Sequence, residues 1–109
     1  MVTIETFRQM ALSIPGTIEV PHFDRASFRV NKKIFATLDE KKKIAVLMFS
    51  PLDQSVFCAF DKTIIYPVPG GWGRKGATIF ELLKVKKSML KDALEVVYAA
   101  IASKTTKKK

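Results

Sequence analysis

Apolar residues return at intervals of three or four near both ends of the chain and at intervals of two through its middle, so helices are expected to flank a run of strands. Ile4, Phe7, Met10, Ala11 and Ile14 mark the first helix, over residues 3–13, with Thr3 as N-cap and Glu5 in the first turn; Pro15 and Gly16 end it. A β-branched run over 17–20 predicts a short strand, and 21–25 reads as irregular. Residues 26–30 and 33–38 alternate as two strands around Asn31-Lys32, a two-residue turn in which Asn tolerates a positive φ. A second turn over 39–42 leads into a strand over 43–49. Ile44, Val46 and Met48 lie on one side of it and Ala45, Leu47 and Phe49 on the other, which suits the middle of a sheet.

Ser50-Pro51-Leu52-Asp53 has the chemistry of a helix start: a capping hydroxyl, Pro at the first helical position and an acid in the first turn. That helix is expected to bury Leu52, Val56, Ala59 and Phe60. There follow a strand over 64–68, a flexible glycine-rich loop over 69–76 and a strand over 77–83. A final helix over 86–103 is expected to bury Met89, Leu90, Ala93, Val97, Ala100 and Ile101. Strands joined by short hairpins pair antiparallel. The expectation is therefore an α+β domain, a single antiparallel sheet with helices on one face, in the order α-β(3-4)-α-β2-α.

With 109 residues the chain has room for one domain, residues 1–103, followed by a basic tail over 104–109. A single Cys cannot form an internal bridge, and no apolar run approaches the roughly 20 residues that span a bilayer. A reduced, cytoplasmic monomer without membrane attachment is expected. Nineteen Lys and Arg against ten Asp and Glu leave a net charge of +9, which favours polyanionic partners. Lys104, Lys107, Lys108 and Lys109 supply four of these charges, either as a solubilising end or as added phosphate affinity.

Two clusters carry candidate chemistry. Arg25, Arg29, Lys32 and Lys33 fall within nine residues, and Arg29 alternates away from the side that Phe28 and Val30 bury. Such a ribbon suits phosphates along a nucleic-acid groove, although solvated strand charges protecting an edge account for the same residues. Trp72, Arg74 and Lys75 form the second cluster, where an indole could stack on a base while the cations hold phosphate; alternatively Trp72 covers the edge of the core. The glycine-rich segment lacks the Lys-Ser/Thr ending of a nucleotide-phosphate loop. His22 has only Asp24 near it in sequence, Cys58 sits among apolar neighbours, and the acids are scattered except for Asp39-Glu40. No catalytic residue, metal site or cofactor is therefore expected. Lys84, Lys86, Lys87 and Lys91 border the start of the last helix, against its dipole, and suit either an anion site or an exposed face.

Three blocks, in this order and spacing, resemble the MmcQ/YjbR family: Pro21-His22-Phe23-Asp24-Arg25-Ala26-Ser27-Phe28-Arg29-Val30, Lys33-Ile34-Phe35-Ala36-Thr37-Leu38 and Gly71-Trp72-Gly73-Arg74-Lys75-Gly76. Phe7-Arg8 and Ile14-Pro15-Gly16-Thr17 resemble its first helix and turn. Asn31-Lys32 and Asp24 stand where family members often carry Gly. The resemblance implies a CyaY-like fold and DNA binding through a double-wing arrangement, and it carries over no catalytic residues. The expected function is that of a small nonenzymatic DNA-binding protein using the loops at 25–33 and 72–75. The alternative is a protein or small-ligand interaction module with a basic surface.

Overall fold

A computed structural model describes residues 1–22 and 25–107, with side chains for 1–21 and 25–101. The chain forms α1 (Ile4–Leu12), β1 (Ile18–His22), β2 (Arg25–Val30), β3 (Lys33–Asp39), β4 (Ile44–Met48), α2 (Pro51–Cys58), β5 (Ile65–Pro67), α3 (Gly71–Arg74), β6 (Ala77–Glu81) and α4 (Lys87–Lys107). The six strands make one sheet in the order β1-β2-β3-β4-β6-β5, antiparallel throughout. The single-sheet α+β expectation holds, and β4 is an interior strand.

Local chemistry explains most boundaries. Thr3 caps α1 by accepting from the Thr6 amide at 3.1 Å, and Ser50 caps α2 by accepting from that of Asp53 at 3.1 Å. Asn31 and Lys32 both take positive φ, 53° and 68°, the combination that lets a two-residue turn follow the twist of its strands.

Cross-strand partners share a face, and the register assigns every strand residue to one of two. Pro21, Ala26, Leu38, Ala45, Phe80 and Ile65 form one row, and Glu19, Phe28, Ala36, Leu47, Thr78 and Pro67 the next. Phe28, Ala36, Leu38, Ala45, Leu47 and Phe80 of these rows are buried in one cluster with Phe7 and Ala11 of α1 and Leu90, Ala93, Leu94 and Val97 of α4, and Ala26 packs against it half-buried. The Phe7 and Phe28 rings meet edge to face at 5.6 Å, and the Phe49 and Phe57 rings stack at 4.9 Å, so α2 joins the same side. Val46 and Ala77, buried on the other face, are absent from this cluster, and no long helix covers them.

Five expectations are corrected. Residues 21, 22 and 25 are not irregular: Pro21 pairs with Ala26 and His22 with Arg25, which makes β1–β2 a third hairpin. Residues 23 and 24 lie outside the described residues. In α2 the expected buried stripe faces outward, Leu52, Val56 and Phe60 being 74%, 63% and 68% exposed and Ala59 exposed. Phe57 turns inward instead, onto Phe49 and Phe80. The glycine-rich segment contains the helical turn α3, with Gly73 so close to the Val68 carbonyl that a Cβ would collide with it. Ala100 is exposed while Leu94 is buried, because the helix presents 90, 93, 94 and 97 to the sheet. Moreover, α4 runs on to Lys107, four residues beyond its expected end.

Candidate nucleic-acid interface

The helix-free face is built from the complementary rows. Val20, Ser27, Thr37, Val46, Ile79 and Tyr66 cross its centre; Ile18, Arg29 and Ile34 lie towards one end, and Asp39, Ile44 and Glu81 towards the other. Arg29 is on this face, as alternation requires, with its Nε donating to the Ser27 hydroxyl at 3.1 Å; Ser27 in turn donates to the Val20 carbonyl at 2.7 Å. An irregularity in register between Phe28 and Arg29 turns Phe35 into the core.

The β2–β3 turn, with Lys32 and Lys33, and α3, with Arg74 and Lys75, lie at the same end of the sheet. The β2–β3 turn, the end of β4 and the start of β6 all lie there. Ile34, Met48, Ala77, Trp72 and Lys75 surround a shared hollow of about 270 Å³. Trp72 is 56% exposed, so it does not close the core. Its position follows from β6 inserting between β4 and β5, which carries α3 back to the end where β2 and β3 turn. Gln54 of α2 fastens this arrangement, its Nε2 donating to the Gly73 carbonyl at 2.8 Å and to the Ala77 carbonyl at 3.1 Å. Lys32, Lys33, Arg74 and Lys75 are exposed, and among the described residues none of them forms an ion pair.

Arg25 stands apart, at the opposite end, with its Nε 3.8 Å from Asp39 Oδ2. There it borders a second groove of about 400 Å³ together with Lys42, Val46, Tyr66, Ile79 and Glu81. The Tyr66 hydroxyl donates to Glu81, and this bond to a carboxylate pushes the phenol up to about 12. On the helix side Arg8 donates to Glu19 at 3.0 Å and to Glu40 at 2.7 Å, and both carboxylates hold its guanidinium above the ordinary value. The acids of the sheet are thus engaged away from Lys32 and Lys75.

The remaining candidates are not drawn together. The side chain of His22 lies outside the described residues. Cys58 is half-buried and free, with burial pushing its thiol up. Lys84, Lys86, Lys87 and Lys91 are exposed; Lys87 and Lys91 share a groove between α1 and α4 with Glu95. Among the described residues no group of three His, Cys, Asp or Glu side chains could hold a metal ion, and no helix is long and apolar enough to cross a membrane. Sequence reasoning missed Ile34 and Ala77 as walls of the hollow. Their signal was the alternation that sets Met48 beside Val46 and Ile44, but it needed the strand order to be read.

No family model and no curated protein matches the chain. Among solved structures the fold is similar to that of protein DR2400 of Deinococcus radiodurans, which carries the domain DUF419, with a TM-score of 0.79, 18% identity, and 99% of this chain and 84% of that one covered. A Pseudomonas syringae protein is similar with a TM-score of 0.64 and 18% identity, over 88% of this chain and 96% of that one. At such identity the likeness shows a shared α+β fold, found also in a domain family of uncharacterised function.

Proposed function

We propose that this protein binds nucleic acid, DNA in the first instance, without catalysing a reaction on it. Its cations Arg29, Lys32, Lys33, Arg74 and Lys75 contact phosphates. The observation that carries the reading is that the β2–β3 turn and α3 lie at the same end of the sheet, where Ile34 and Trp72 line one hollow, with an exposed indole near exposed cations that form no ion pair among the described residues. A polyanion is attracted there because each phosphate neutralised releases condensed counterions, a gain that needs no particular sequence. The blocks resembling the MmcQ/YjbR family, whose members are described as double-wing DNA-binding proteins, support the same reading. Arg25 is not among the phosphate contacts, since Asp39 engages it at the far end.

A gel-shift titration across salt tests this. Four or five phosphate contacts give a slope of log K against log salt of about −3.5 to −4.5 on B-DNA. Absence of binding at about 50 mM salt, or binding unchanged by Lys32→Ala with Arg74→Ala and Lys75→Ala, refutes it. Loss only on removing residues 104–109 moves the contacts to the C-terminus.

A protein-interaction module is the second reading, and α2 favours it. Residues 44–61 contain no Lys or Arg, and within them Leu52, Val56 and Phe60 face solvent. Comparing material retained from nuclease-treated and untreated lysate separates the two readings.

A further inference from the structure

We infer that the ligand is a single-stranded segment lying on the helix-free face of the sheet with a base stacked on Trp72; this rests on the nucleic-acid reading above. Three observations carry it. First, the β2–β3 ribbon is not a free arm. Residues 25–29 pair with β1 and residues 36–39 with β4, so only the short tip over residues 30–35 extends past both neighbours. A major groove about 12 Å wide admits a helix or a two-stranded ribbon, and a ribbon fixed inside a six-stranded sheet cannot lie in it lengthwise.

Second, the centre of the basic end is apolar. Ile34, Met48 and Ala77 line the hollow beneath an indole that is itself half-exposed. The outer surface of a duplex offers phosphate and sugar to such a hollow, with the base faces hidden in the stack. An unpaired strand offers the π-face of a base, which any aromatic platform accepts whatever its sequence. Third, the apolar track continues along the sheet. Lys75 borders the hollow; two residues further along β4 and β6, about 7 Å away, Val46 and Ile79 floor the second groove, which Arg25 and Lys42 border together with Glu81. A strand on this face therefore passes from one hollow to the next with cations beside both.

Trp72 is the chain's only tryptophan, so its emission reports on the site directly. The protein is titrated at about 50 mM salt with an oligothymidine of about 12 nucleotides and with a hairpin duplex of matching length, following indole emission and the anisotropy of a labelled strand. The expected result is tighter binding of the oligothymidine, with quenched emission. Trp72→Ala is expected to weaken it by about fivefold to a hundredfold while Trp72→Phe retains most of the affinity. Equal or tighter binding of the duplex, or a single-strand complex with unchanged emission, overturns the inference and leaves a nucleic-acid-binding protein. Failure of both ligands to bind overturns the proposed function as well.

Discussion

Tyr66 and Glu81 face each other on the helix-free side of adjacent strands, and their bond favours the protonated phenol in the folded state alone. Because the folded value, about 12, lies above the unfolded one of about 10, the contribution to stability is complete below pH 10 and is lost as the pH rises towards 12. A spectrophotometric titration of the two tyrosines should accordingly show one ionising late, and Glu81→Gln should bring that transition down. Backbone demands act at the same scale. Gly76 holds φ 116° with its Cα against the Phe49 carbonyl, and Gly73 lies against that of Val68, so neither position has room for a Cβ. These two glycines allow a loop rich in Trp, Arg and Lys to lie tight against the end of the sheet.

Among the elements, α2 separates pattern from outcome most sharply. Its eight residues carry two apolar sets, Leu52 and Val56 on one side, continued by Phe60 just past the end, and Phe57 with Cys58 on another, and helical spacing alone is satisfied by both. Tertiary contacts decide: Phe57 finds Phe49 and Phe80, and Gln54 finds two carbonyls. Phe57→Ala is therefore expected to cost about 3 kcal/mol. Leu52→Ser and Val56→Ser should each stay within about 0.5 kcal/mol, all read from urea midpoints at constant slope. The strands were more legible than this helix. Alternation located β2, β3 and β4, and Asn31-Lys32 announced its turn, because a hairpin depends on neighbours in the chain. α3 was hidden, since glycine disfavours helix and the turn exists only through its packing beneath Val68. The residue types at the candidate site were visible, but their meeting was not. It depends on β6 lying between β4 and β5, which no local pattern encodes.

At the scale of the whole molecule, the chain's excess of positive charge is unevenly distributed along the strands. Arg8 and Arg25 are engaged by Glu19, Glu40 and Asp39, whereas Lys32, Lys33, Arg74 and Lys75, at the other end, form no ion pair among the described residues. Under the proposed function, Arg74→Ala should make the salt dependence of binding shallower by about 1 on a duplex and about 0.7 on a single strand. Arg25→Ala should leave that slope unchanged. Gel-shift titrations at several ionic strengths distinguish the two ends.

The amide of Gln54 ties this geometry to the opposite layer. By holding one carbonyl within the turn that bears the indole and one just beyond it, it fastens that turn to α2. Gln54→Ala, which leaves both carbonyls without that donor, should therefore loosen the seat of the indole, read as a shift in the emission of Trp72.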